Sequence, residues 1–274
     1  MVSINTNVGA MIALQNLNAT ATQLQQTQSI ISTGLKVGSA KDDGATWAIA
    51  QNQRATASSL DAVKDSLNRA SSVTDVALAA GGQISDLLTQ MQSKALAASD
   101  SSLDTASRSA LNTDFISLRN QIQSVVNNAA FNGINLIKSG ASNVAALANS
   151  SGSSVLTVAA QDLSVGGANV TVAATGTIGT VTQATNMIAT VQTSINNVSA
   201  ALAKFGTASK SVASTLTFVG KMQDTITAGV GNLVDADLAK ESAHLQALQT
   251  KQQLGIQALS IANQAPQSVL SLFR

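Results

Sequence analysis

The sequence has no cysteine and no tyrosine, and tryptophan, proline and histidine occur once each, as Trp47, Pro266 and His244. Lacking cysteine, the chain can form neither a disulfide framework nor a thiolate metal site. Aromatic residues are 2% of the total and charged residues 11%, against a hydrophobic fraction of 45% in which alanine is the largest contributor. A broad core needs bulky side chains, so these proportions fit narrow seams between helices instead, where alanine lets backbones approach and favours the helix itself. The formal charge is +1 and no segment concentrates lysine or arginine. Electrostatic attraction to nucleic acid or to an anionic membrane surface is therefore not expected. Apolar runs are short as well. No stretch approaches the roughly 18 residues that a membrane-spanning helix requires, and Met1–Ala10 lacks the basic start and unbroken apolar core of a cleavable secretory signal.

What the sequence does have is periodicity. Ala10, Leu14, Leu17, Ala21, Leu24, Gln28, Ile31 and Leu35 recur at alternating steps of four and three, the spacing of one helix face. Gly34 offers a C-cap, and the pattern is broken around Lys41, Asp42 and Asp43, where a carboxylate can cap the first free N–H groups of a new helix. A second stripe runs through Leu60, Val63, Leu67, Ala70, Val73, Ala77, Ala80, Ile84, Leu87 and Met91, and a third through Leu111, Phe115, Leu118, Ile122, Val125 and Ala129. From Ser139 to Thr182 the composition shifts to Gly, Ser, Thr, Ala and Val, with near-alternating runs at Ser154–Ala159 and Ala168–Ala173 that predict a small β-hairpin or loop excursion. The helical rhythm resumes from Ile188 to Leu233, slips by one residue before Leu238, and continues through Leu245, Ile256 and Leu259 toward Phe273.

These changes divide the chain into residues 1–44, 45–137, 138–182, 183–233 and 234–274. The breaks lie at similar distances from the two ends, leaving terminal helices of about 26 residues each, or roughly 40 Å at 1.5 Å per residue. The expected fold is mainly α: a long antiparallel helical bundle or coiled coil with paired terminal helices and a small β-hairpin region. The expected assembly seam comprises Leu14, Leu17, Leu24, Ile31, Leu238, Leu245, Ile256, Leu259 and Phe273, packing the ends on each other and on further copies.

Nothing points to catalysis. His244 near Glu241 is a helix-surface pair, because a hydrolytic zinc site wants three protein ligands and no second histidine exists. Asp42 with Asp43, and Asp235 with Asp237, sit at phase breaks and read as caps and turns, not as acid–base pairs. Gly81-Gly82 and Gly166-Gly167 lack the Lys-Ser/Thr of a phosphate loop and read as points of flexibility. No cofactor and no metal are expected.

Both ends carry motifs that resemble bacterial flagellin, the subunit of the flagellar filament. Ser3-Ile4-Asn5-Thr6-Asn7, Ile31-Ser32-Thr33-Gly34-Leu35-Lys36 and Ser39-Ala40-Lys41-Asp42-Asp43 are similar to the family's N-terminal block, and Phe131-Asn132-Gly133-Ile134-Asn135-Leu136 to the motif closing its third helix. Asp235-Ala236-Asp237-Leu238-Ala239-Lys240-Glu241, Ala262-Asn263-Gln264-Ala265-Pro266-Gln267 and Leu270-Ser271-Leu272-Phe273-Arg274 resemble the C-terminal block. The resemblance covers about residues 1–137 and 185–274 and is to short flagellins of α-proteobacterial type, without large outer domains.

That resemblance implies a homopolymer, mixed or not with sister flagellins. It also implies partners in the flagellar export apparatus, a chaperone, the filament cap and hook-associated proteins, and an extracellular place in the filament reached without a cleaved signal peptide. In the stretch where many flagellins carry Arg and Glu residues read by an animal innate-immune receptor, Gln90, Met91, Gln92, Ser93 and Lys94 stand here, which implies weak recognition. A hook–filament junction protein shares the terminal helices and is the nearest alternative. A cytosolic coiled-coil scaffold leaves the end motifs unexplained, and a peptidase-bearing flagellin lacks its His-Glu-x-x-His sequence.

Overall fold

The computed structural model describes residues 6–270, with side chains described through residue 264. Its helices are α1 (Val8–Thr33), α2 (Gly44–Ala98), α3 (Thr105–Asn128), α4 (Val181–Val234) and α5 (Leu238–Leu270), with strands β1 (Val144–Leu147) and β2 (Val155–Val158) between α3 and α4. The fold is mainly helical, with a small antiparallel sheet, as the periodicity predicted. The chain forms two compact units, Thr56–Asp224 and the combination of its two ends up to Ala55 and from Thr225.

Within the terminal unit the two interruptions of the sequence pattern meet each other. α1 stops at Gly34, whose φ of 72° is open to glycine without strain and whose N–H donates to the Ile30 carbonyl at 2.8 Å. The Lys36 and Val37 N–H groups then donate to the Val234 carbonyl, and the Ala236 N–H donates to Gly34. Val37, Ala50, Val230 and Val234 form a buried cluster beneath this crossing, flanked by Leu35, Trp47, Ile226 and Leu233. The aspartates cap and turn as their positions implied. Asp43 accepts from the Ala45 and Thr46 N–H groups at the start of α2, Asp42 from Gly38 and Ser39, and Asp237 from Ala239 and Lys240 at the start of α5.

In the central unit every member of the second stripe, from Leu60 to Met91, is buried, and no position of the stripe from Ile188 to Gln223 is exposed. Gly81 is not a point of flexibility. It lies inside α2, and a Cβ there would stand 2.6 Å from Leu202 Cδ2 of α4, so the glycine lets the leucine approach the helix backbone. At the second glycine pair, Gly166 holds a φ of 76° and a Cβ on Gly167 would meet the Asp162 carboxylate at 2.9 Å, which makes this a tight turn.

The hairpin pairs Val144–Leu147 with Val155–Val158. The run Ala168–Ala173 is not its partner strand. Val170 and Val172 are fully buried and the Thr171 N–H donates to Ser194 Oγ of α4, so the alternating side chains cover a helix instead of joining the sheet.

Between α2 and α3 the buried Arg108 gathers the Ala98, Asp100 and Leu103 carbonyls, placing a positive charge at the negative end of α2. Replacing it with alanine leaves these acceptors without their donor, and Arg108→Ala should cost about 2–3 kcal/mol in chemical denaturation of the full chain. The caps also predict an acid limit. Hydrogen bonds from Thr46 hold the Asp43 carboxyl below the usual carboxylate range, and those from Ser107 do the same for Asp104. A carboxyl lowered on folding contributes stability above its unfolded value near 4 and loses it as pH falls through the lower folded value. The melting temperature should therefore hold from pH 7 to about 5 and decline below about 4. Asn caps helices as well as Asp does, so the Asp43→Asn, Asp104→Asn double variant should show a shallower decline.

Candidate functional site

The terminal helices are short of charge. α1 has no ionisable side chain and α5 has only Lys240, Glu241, His244 and Lys251. The two helices lie against each other in antiparallel fashion: Asn7 meets Ala262, Leu17 meets Gly255, and Thr27 meets His244. The covered side of α1 runs through Ala13, Leu17, Thr20, Leu24, Thr27 and Ile31, and that of α5 through Glu241, Leu245, Leu248, Gln252, Gly255, Leu259 and Ala262.

Small and hydroxylic residues sit at the centre of this contact. A Cβ on Gly255 would lie 3.3 Å from Leu17 Cδ1, so glycine admits the leucine, and Thr20 and Thr27 are the buried residues of α1. Thr20 stays satisfied by donating to the Asn16 carbonyl at 2.8 Å, while Thr27 Oγ1 and His244 Nδ1 are hydrogen-bonded at 3.3 Å.

One interaction fixes the register. Proline has no N–H, so Pro266 cannot bond the carbonyl four residues earlier, that of Ala262. Asn7 takes that place: its Nδ2 donates to the Ala262 carbonyl at 2.6 Å, while its Oδ1 accepts from the Ala10 N–H and caps α1. Two motifs at opposite ends of the sequence thus meet at one side chain. α5 continues past the proline to Leu270, with the freed carbonyl satisfied by Asn7, and is 33 residues long against 26 for α1, not the equal length expected.

The expected seam divides. Leu17, Leu24, Ile31, Leu245 and Leu259 lie on the covered sides, but Leu14, Leu238 and Ile256 are exposed. Phe273 lies outside the described residues. Within one chain the line of contact between α1 and α5 also includes Thr20, Thr27 and Gly255, which carry no apolar signal, and it runs part of a turn to one side of Leu14, Leu238 and Ile256. Asn7, Thr20, Thr27 and Gly255 were therefore missed. The proline four residues after Ala262 and the small residues at helical spacing are the signals that point to them.

Further apolar side chains are uncovered. Val8, Met11, Ile12 and Leu14 spread over nearly half the circumference of the first turns of α1, on the side away from α5, and Met11 is 65% exposed. Leu254 and Ile261 of α5 are also exposed. His244 Nδ1 is 3.8 Å from Glu241 Oε2, and among the described residues no three metal-ligating side chains converge. No described helix is long and apolar enough to cross a membrane.

Residues 4–142 match the N-terminal helical region of bacterial flagellin, and residues 188–273 match its C-terminal helical region. The chain belongs to the bacterial flagellins. It is 58% identical to flagellin FljM of Caulobacter vibrioides over 272 residues, covering 99% of this chain and 98% of the relative. It is 37% identical to a flagellin of Brucella melitensis over the full length of both. The fold is shared with the crystal structure of Bacillus cereus flagellin, at a TM-score of 0.50 and 22% identity over 56% of this chain and 88% of that one. This flagellin is accordingly a structural subunit of the bacterial flagellar filament and not an enzyme, and it assembles with itself. Nothing in its relatives favours the junction-protein or scaffold alternatives.

The Asn7 interaction can be isolated, because Asn7→Asp keeps the oxygen that caps α1 and removes the amide that reaches Ala262. That variant should lose about 1–2 kcal/mol of protection from hydrogen exchange in the first turns of α1. Adding Pro266→Ala returns an N–H to the Ala262 carbonyl, so the same Asn7→Asp change should cost measurably less in that background.

Proposed function

We propose that the paired terminal helices are the surface through which this flagellin joins its neighbours, with Leu14, Leu17, Leu24, Ile31, Leu238, Leu245, Ile256, Leu259 and Phe273 as its apolar side chains. The observation that carries this reading is the contrast between the two units. The stripes of the central helices are buried within one chain, whereas the start of α1 is apolar on every side and α5 covers only one of them. A helix that is apolar all round is stable in water only when something covers it.

On this reading, residues 1–44 and 234–274 form the inner part of the filament. Residues 45–137 and 183–233 surround it, and residues 138–182 lie farthest out. The chain travels unfolded through the flagellar export apparatus with a chaperone and with no cleaved signal peptide, and it polymerises beneath a cap on a base of hook-associated proteins, alone or mixed with sister flagellins. The absence of charge from α1 and the scarcity of bulky side chains suit a chain that must cross a narrow channel before it folds.

Removing residues 2–24 or 254–274 tests the assignment. Each truncation should abolish filaments in electron microscopy of seeded protein while the central helices keep their circular dichroism and their cooperative melt. Filaments growing from either truncated chain would refute it.

A further inference from the structure

We infer that Met11 is a site of reversible oxidation, and that a sulfoxide there keeps the chain out of the filament. This inference rests on the assembly reading above, in which neighbours cover the outward side of α1, and adds a chemical control to it.

A thioether reacts where an oxidant can reach its sulfur, so exposure ranks the methionines of one chain. Met91 is fully buried in α2, and Met187 and Met222 of α4 are half-buried. Met11 is the one exposed methionine among the described residues, and Met1 lies outside them.

Position gives the reaction its consequence. At about 100° per residue, Met11 points nearly opposite the line of Ala13, Leu17, Thr20 and Leu24 that α5 covers. Val8 and Leu14, three residues to either side, flank it at about 60° each, and Ile12 extends the group. All four are exposed. Met11 therefore stands at the centre of the uncovered apolar group of α1, on a helix with no ionisable side chain.

The step needs only a peroxide as co-reactant. The sulfur lone pair of Met11 attacks one oxygen of hydrogen peroxide, an S–O bond forms and the O–O bond breaks. The proton on the transferred oxygen passes to the departing hydroxide, which leaves as water. Sulfur is oxidised by two electrons and the peroxide is reduced. The product side chain is polar, and a methionine sulfoxide reductase with a thiol reductant returns the thioether. An apolar neighbour can cover a thioether beside Val8 and Leu14 without loss. Burying the sulfoxide oxygen against the same neighbour leaves an acceptor without a donor.

The test treats the unassembled full chain and wild-type filaments with the same dose of hydrogen peroxide and follows each methionine by mass spectrometry of peptides. In the free chain Met11 should gain oxygen roughly tenfold faster than Met91, and filaments should protect it. The oxidised chain should elongate wild-type seeds roughly tenfold more slowly, and methionine sulfoxide reductases should restore the rate. Met11→Leu conserves volume and retains Met1, so this variant should elongate at the wild-type rate before and after peroxide. Sulfoxide chains that elongate at the untreated rate, or Met11→Leu chains that lose as much as wild type, would overturn the inference and leave the assembly reading intact. Met11 oxidised as fast in intact filaments as in the free chain would instead remove the reading that neighbours cover this side of α1. A second variant serves if Met11→Leu does not assemble. Met11→Gln places a polar side chain of comparable helix propensity at the same point and should elongate slowly with no oxidant present. Wild-type growth of that variant would count against the inference.

Discussion

The first and last helices of this chain must lie backbone to backbone, and much else in the structure follows from that requirement. Close approach is possible because Gly255 yields space to Leu17 and because Ala13, Thr20, Thr27 and Ala262 alternate with the leucines along the line of contact. Such a contact buries little apolar area, so it supplies modest cohesion to one molecule and leaves aliphatic side chains on its flanks. Directional interactions compensate. The Ala262 carbonyl released by proline and claimed by Asn7 sets the axial position, and the backbone exchange among Gly34, Lys36, Val37, Val234 and Ala236 sets the far end. With both ends of the pair held, the register of α1 against α5 is defined, as at Leu17 with Gly255 and Thr27 with His244.

The central unit achieves stability by other means. Its stripes of leucine, isoleucine and phenylalanine are buried or half-buried within the chain, Arg108 binds the turn between α2 and α3, and the buried hydroxyls of Thr74 and Ser194 donate to carbonyls one turn back. A hydroxyl satisfied in this way can be buried without water. One unit is thus complete in a single chain, whereas the other leaves apolar side chains of α1 and α5 uncovered.

Legibility from sequence followed the same division. The stripes of α2, α3 and α4 could be read residue by residue because apolar burial governs those helices, and periodicity is a record of apolar burial. The breaks at Gly34–Asp43 and before Leu238 were legible because glycine and aspartate act locally. The α1–α5 line was read only in part: Leu17, Leu24, Ile31, Leu245 and Leu259 belong to it, while Thr20, Thr27 and Gly255 leave no hydrophobic trace. The hairpin or loop excursion was legible, but the alternating runs marked only one of its strands: Val144–Leu147 shows no such run and Ala168–Ala173 alternates without being a strand, because alternation records which side chains are covered and not whether a helix or a strand covers them. Asn7 depends on a carbonyl 255 residues away, a pairing no local pattern encodes.

Trp47, the single tryptophan in a chain without tyrosine, is partly buried beside Val37, Ala50, Val230 and Val234, where the two interruptions cross. Nature has in effect placed one optical reporter at the junction of the terminal unit. Its fluorescence registers whether that crossing is closed, independently of total helix content, so the joining of the chain's two ends can be followed in real time with no label attached.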